Sequence, residues 1–362
     1  MQVYYLGVGL NMNAITQKIL PLSDERPITY DLRLAIPHMA ALSHDEIKDN
    51  VWQWLYSFST QTICRRKQKH IRYNYFQFYV PFFPFIKRHR DLHGRKNWSD
   101  PEKKLQYVID KIDDGYYVHL EMDRFYMPGF QGFNETHFIH TECIYGYDLD
   151  KKVLYVTGFT ELMGANLQKR KLEFDDFRKA YFSFAQKKLC HWITNQRVRR
   201  NVRVDFDVGL MKKQLSCYIN STRPSLYVIS INGKKRIKLP FEPRTSAFGI
   251  NANKFVADLI LKEYEGSLHS NHSLRLHALY EFQNLMAKRL AYLALINFVD
   301  KNYADDYATI ATKYLSLRNL YLKYDITKKR EVLISIYRKL KSLQDEEEII
   351  LHKVIVCLNE NG

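Results

Sequence analysis

The chain of 362 residues has no uncharged apolar run approaching the roughly 18 residues that a membrane-spanning helix needs, so no membrane insertion is expected. Its first residues, MQVYYLGVGLNMN, lack both the basic start and the small-residue cleavage site of a secretory signal, which points to the cytoplasm. Cysteine is sparse: Cys64, Cys143, Cys190, Cys217 and Cys357 are widely spaced, odd in number and form no CxxC pair. That pattern excludes a zinc ribbon and a disulfide framework, and the thiols are expected to be reduced. No internal repeat or low-complexity tract is present. Acidic residues are also short, 39 against 55 Lys and Arg, which leaves a formal charge of +16. The excess concentrates in CRRKQKHIR (64–72), QRVRRNVR (196–203) and GKKRIK (233–238), and implies an acidic partner. An RNP strand or a helix-turn-helix would turn that partner toward nucleic acid; neither is found, so a nucleic-acid role rests on charge alone.

The length exceeds that of a usual single domain and predicts two. ITYDLRLAIPHMAAL (28–42) reads as a short helix interrupted by Pro37, and IRYNYFQFYVPFFPFI (71–86) as an aromatic strand entering a Pro-rich loop. Ser99, Asp100 and Pro101 form a helix start, followed by Leu105, Val108, Ile109 and Ile112 at helical spacing. Three strands of an antiparallel meander then follow in YYVHLEMD and in the hairpin IYGYDLDKKVLYVTGF, with an amphipathic helix in LEFDDFRKAYFSF. Further short strands are predicted in NVRVDFDVGL, PSLYVISIN and KRIKLPF. Beyond Phe248 the pattern turns helical, with stripes at Leu279, Phe282, Met286, Leu290 and Leu293, and at Leu333, Ile336, Leu340, Leu343, Ile350 and Val354. The fold class expected is α+β, a sheet-rich domain over 1–244 and a helical bundle over 245–362.

The chemistry concentrates in GYYVHLEMDRFYMPG and HFIHTECIYGYDLDKKVLYVTGF, where His and Asp stand at the mouths of the strands. Papain-like folds present a catalytic histidine in this way, as a base next to a nucleophile on a facing helix. His140, at the opening of the hairpin, is the candidate base. No acid occurs near Thr157 or Gly158, where an orienting carboxylate would stand. Asp123, ending the preceding strand, and Glu142, on the same face as His140 by period-two alternation, are the substitutes. Cys143 faces the other way and reads as a buried small hydrophobe. Cys64, after Gln61 and beside Arg65 and Arg66, is the thiol candidate, because adjacent positive charge lowers a thiol pKa. His137, Tyr126 and Gln61 are candidate substrate contacts. His137, His140 and Glu142 have ligand types suited to a metal, but three such positions on one strand do not share a face, so neither metal nor cofactor is assigned.

The chain resembles the butirosin biosynthesis protein H family, and within it a group from Firmicutes that accompanies nonribosomal peptide gene clusters. The resemblance rests on KILPL (18–22), YVPFFPFI (79–86), GYYVHLEMDRFYMPG, HFIHTECIYGYD, VLYVTGF and LRLHALYEFQNLMAKRLAYL (274–293), and covers most of the chain. It implies a papain-like N-terminal domain, a helical C-terminal domain, and transfer or release of an acyl or peptidyl group held on an acidic carrier protein. His140 matches the family's histidine. The helix start that carries the family's cysteine corresponds to Thr29, Tyr30 or Asp31, so the nucleophile does not carry over. A catalytically inactive papain-like protein that only binds an assembly-line component is the alternative.

Overall fold

The computed structural model describes residues 16–58, 62–65, 75–78, 83–91, 100–160, 167–186, 193–222, 227–238, 245–268 and 272–361. Among these the chain is α+β, and it groups into two compact units, each assembled from separated segments. One comprises Met1–Pro21, Arg88–Gly158 and Gln168–Gln196; the other comprises Leu22–Lys87, Phe159–Leu167 and Arg197–Gly362.

The first unit is built on an antiparallel sheet. Its strands are β1 (Gln17–Ile19), β4 (Ile86–Asp91), β5 (Tyr117–Asp123), β6 (Ile139–Asp148), β7 (Val153–Phe159), β8 (Leu167–Glu173) and β9 (Ile193–Val198). They run in the order β4-β9-β5-β6-β7-β8, with β1 also paired to β6. The meander expected from the sequence is thus present. A bulge between Ile144 and Gly146 lets β6 leave β5 and take β1 as partner. Gly146 is needed there, since a Cβ on it would lie 2.7 Å from the Lys18 carbonyl oxygen.

Two helices pack on this sheet. In α3 (Pro101–Asp113), Asp100 accepts the Glu102 N–H at 2.9 Å and Pro101 stands at the first turn, which costs nothing because that N–H has no helical partner. Leu105, Val108, Ile109 and Ile112 form the buried stripe. In α4 (Phe174–Gln186), Phe174, Phe177, Ala180 and Tyr181 are buried. Lys104 of α3 is fully buried with its ammonium 4.6 Å from the centre of the Tyr181 ring, where the π face replaces part of its lost hydration.

The second unit holds α1 (Leu32–Leu42), α2 (Asp45–Phe58), α5 (Val208–Ile219), α6 (Gly249–Tyr264), α7 (Ser273–Leu295), α8 (Lys301–Thr327) and α9 (Glu331–Glu360). With them go a sheet of β12 (Thr245–Phe248), β2 (Thr62–Arg65) and β3 (Tyr75–Phe78), and a hairpin of β10 (Tyr227–Ile231) and β11 (Lys234–Lys238). Pro37 sits within α1, whose start is capped by Asp31 accepting from Arg33 N–H at 2.8 Å. The expected apolar stripes of α7 and α9 face the core: Leu279, Phe282, Met286, Leu290, Leu333, Ile336 and Leu340 are fully buried, while Ile350 of the α9 stripe is half-buried. NVRVDFDVGL is not a strand. Among the described residues, Val204 alone bridges to a strand residue, Ile231, and Asp207 then caps α5 by accepting Leu210 N–H at 2.8 Å, so a helix start overrides the alternating valines.

Two buried charged groups of this core have dense hydrogen bonding. Arg289 donates to the carbonyls of Tyr56 at 2.5 Å and Leu55 at 3.2 Å, meeting the C-terminal orphans of α2. Burial pulls its pKa down to about 9. Glu347 of α9 accepts from Tyr218 at 2.5 Å, Tyr307 at 2.9 Å, Gln283 at 3.1 Å and Tyr314 at 3.2 Å. Burial lifts its carboxyl above the usual range despite these donors. Among the described residues no helix is long and apolar enough to cross a membrane.

Candidate functional site

Strand register decides which of the candidate residues meet. Met122 pairs with His140 and Leu120 with Glu142, so these four share one face of the sheet. Asp123 pairs with Ile139 and belongs to the other face. The two histidines consequently take different carboxylates.

On the first face, His140 Nδ1 lies 2.9 Å from Glu142 Oε1, and Arg124 Nε donates to the same oxygen at 2.7 Å. Arg124 opens the 3₁₀ turn Arg124–Tyr126 directly after β5, which folds its guanidinium back over the strand ends. Arg124 and Glu142 are both fully buried, and the guanidinium carbon sits 5.2 Å from the Phe130 ring centre and 5.7 Å from that of Phe138. Phe138 also stacks on the His140 imidazole at 5.8 Å and 23°. Nδ1 of His140 thus faces an acceptor, the carboxylate, and a donor, the guanidinium; the tautomer that keeps the proton on Nδ1, toward Glu142, is the one that leaves Nε2 as the lone-pair nitrogen a general base requires. Arg124 Nη2, 3.1 Å from the same Nδ1, adds positive charge beside the pair.

Gly158 makes this arrangement possible. The pairing of Cys143 with Thr157 puts Gly158 opposite Glu142, and a Cβ on Gly158 would lie 1.7 Å from Glu142 Oε2 and 3.1 Å from the Phe130 ring. The space on β7 where an orienting acid was sought is therefore filled by the carboxylate of Glu142, reaching across from β6. Glycine is the residue that leaves room for it.

On the second face, Asp123 is fully buried and accepts from His137 Nδ1 and Ser183 Oγ, each at 2.7 Å, and from the backbone N–H groups of Phe125 and Phe138, each at 3.2 Å. Burial pushes the Asp123 carboxyl up; the donors from Ser183, His137 and Phe125 outweigh it and leave the pKa below the ordinary range. His137 is 44% exposed and stacks on Phe125 at 4.4 Å and 19°, with Tyr126 edge-on to Phe125 at 5.0 Å. His137 and Tyr126 thus share one aromatic surface. Ser183 bonds the acid rather than the imidazole, which is the wrong order for a Ser-His-Asp relay. The expectation that Asp123 orients His140 is corrected: its acceptors serve His137, Ser183 and the loop backbone, because alternation sends it to the other face.

Cys143 completes no Cys-His pair with His140. Cys143 is fully buried, stands on the face opposite His140, and burial together with the Glu142 charge raises its thiol pKa well above the usual value. Cys64 lies in β2 of the helical unit with its side chain outside the described residues, and Gln61 lies outside them altogether. Among the described residues no group of three or more His, Cys, Asp or Glu is placed to hold a metal ion.

Two features escaped sequence reasoning. Arg124 was hidden inside the motif MDRFYMPG, since nothing in its spacing shows that the chain turns there and buries it. Glu281 of α7 accepts the N–H groups of Thr29 at 2.6 Å and Tyr30 at 3.0 Å and bonds the Thr29 hydroxyl, which lies 2.9 Å from His277 Nε2. The segment leading into α1 is thereby anchored by a buried carboxylate. The signal that could have found this is HxxxE at 277–281, which places both side chains on one helix face.

No family model matches the chain, and no curated protein matches its sequence.

Proposed function

We propose that the protein has a papain-like fold and acts in peptide natural-product assembly, transferring or releasing an acyl or peptidyl group held as a thioester on an acidic carrier protein. The observation that carries the reading is the His140–Glu142 pair, buried on its carboxylate side and locked by Arg124, with His140 itself 25% exposed. The acceptor amine or water attacks the acyl carbon while His140 Nε2 takes its proton. The new bond to the acyl carbon forms as the carbon–sulfur bond breaks, and the departing thiolate recovers the proton from His140. No acyl-enzyme is required, which suits a helix start at Thr29 to Asp31 in place of a cysteine.

A second reading is a catalytically inactive papain-like protein that only binds an assembly-line component. It is favoured by Cys143, whose raised pKa and opposite face exclude it as the partner of His140. Intact-mass measurement of an acyl-loaded carrier domain mixed with the protein separates the two. Unloading by the wild type but not by His140→Ala, with binding unchanged, supports transfer; unaltered masses despite complex formation leave binding alone.

A further inference from the structure

Two of the three basic runs converge in the fold. Residues 199–204 follow β9 and are pinned at Arg199, whose N–H donates to the Phe85 carbonyl at 2.7 Å. The turn joining β10 to β11 is Asn232-Gly233, with φ of 51° and 71°, the left-handed pair that a tight two-residue hairpin needs. Asn232 then fastens the hairpin to the loop. Its N–H donates to the Arg203 carbonyl at 3.0 Å, its Oδ1 accepts the Arg203 N–H at 2.6 Å, and its Nδ2 donates to the Asn201 carbonyl at 3.0 Å. The bridge between Val204 and Ile231 closes the junction. Arg199, Arg200, Arg203 and Lys234 are each exposed, and this junction brings the segments that carry them together in the second unit, although about thirty residues separate the runs in sequence.

Exposed like charges repel, and folding gains nothing by collecting them. Among the described residues the ion pair formed by these four is that of Arg200 with Glu46, at 3.6 Å and with both side chains at least half exposed, which is worth little. We propose that this surface is the docking site for the acidic face of the carrier protein, an inference that rests on the functional reading above and adds where the partner binds. Its size favours a protein. Residues 199–203 span at most about 17 Å, which matches roughly three turns of an acidic helix and offers only a few phosphate contacts to a nucleic-acid duplex.

The test uses the full chain and a recombinant peptidyl carrier domain, with a 20-base-pair DNA duplex and a 20-nucleotide RNA as comparison probes. Carrier affinity is measured by calorimetry from 50 to 500 mM NaCl for the wild type, for R199E/R200E/R203E/K234E, and for the control K301E/K323E, whose exposed lysines lie on α8. Circular dichroism and melting establish that each variant is folded. The expected result is a carrier affinity that weakens with salt and falls about tenfold or more in the fourfold variant but not in the control. Carrier binding that is unchanged in the fourfold variant overturns the surface and leaves the partner standing. A wild type that ignores the carrier, or that binds DNA or RNA more tightly, overturns the surface and the carrier reading together.

Discussion

Gly158→Ala is the sharpest probe of the His140 cluster, because the substitution adds one methyl group where the structure has a carboxylate. The added Cβ lies 1.7 Å from Glu142 Oε2, about half a normal contact distance, and 3.1 Å from the Phe130 ring. Glu142 is fully buried and its Oε1 is held by Arg124 and His140, so moving the carboxylate away from the new methyl group disturbs the ion pair. A buried pair that loses its geometry costs about 3–5 kcal/mol, and at about 3–6 °C per kcal/mol for a unit between the small and mid-sized domain classes the melting temperature falls by about 9–30 °C. Thermal unfolding followed by circular dichroism reads this directly. The cycle with Glu142→Ala makes the cause specific. That change alone strands Arg124 and is itself destabilising by a similar amount, yet it removes the atom with which Cβ collides. Adding Gly158→Ala to it is then expected to cost less than about 1 kcal/mol, a strongly non-additive result. A Gly158→Ala protein that melts with the wild type, or a cycle that is additive, refutes the packing of Glu142 over β7.

Asp123 sets a pH dependence. Its folded pKa lies below the ordinary 3.8, so its contribution is present above that value and is lost as pH falls through the folded one; Asp123→Asn is expected to melt lower than wild type at pH 7 and to flatten the wild-type loss of stability below about pH 4. Arg289→Leu leaves the Leu55 and Tyr56 carbonyls unmet inside the core and is expected to lower stability by about 2–5 kcal/mol, visible as a shift in the urea midpoint. His140→Gln is expected to abolish unloading of an acylated carrier without weakening the complex, since it removes the proton acceptor and leaves the basic residues of the second unit unchanged. Phe125→Ala removes the ring on which His137 stacks and is expected to raise the KM for acyl transfer more than it lowers kcat.

Much of the architecture was legible in local chemistry. Helix α3 is announced by Asp100-Pro101 and by four apolar residues at three- and four-residue spacing, and the meander by alternation across a polar turn; each depends on neighbours a few residues apart. The shared face of His140 and Glu142 was legible for the same reason. Asp123 was harder to read: it lies seventeen residues from His140, and only the pairing of Met122 with His140 shows that it faces away.

By itself, then, the sequence determined the secondary elements with strong periodicity, the basic excess, and the histidine and carboxylates from which a site could be made. Only the tertiary structure decided which of them meet. It sent Asp123 to His137, buried Arg124 beside Glu142, gave the carboxylate its space at Gly158, and joined two distant basic runs through Asn232. The physical reason is that periodicity encodes which face a side chain takes, whereas strand register, bulges and the docking of one turn on another arise from contacts between residues far apart in the chain, and these leave no local pattern to read.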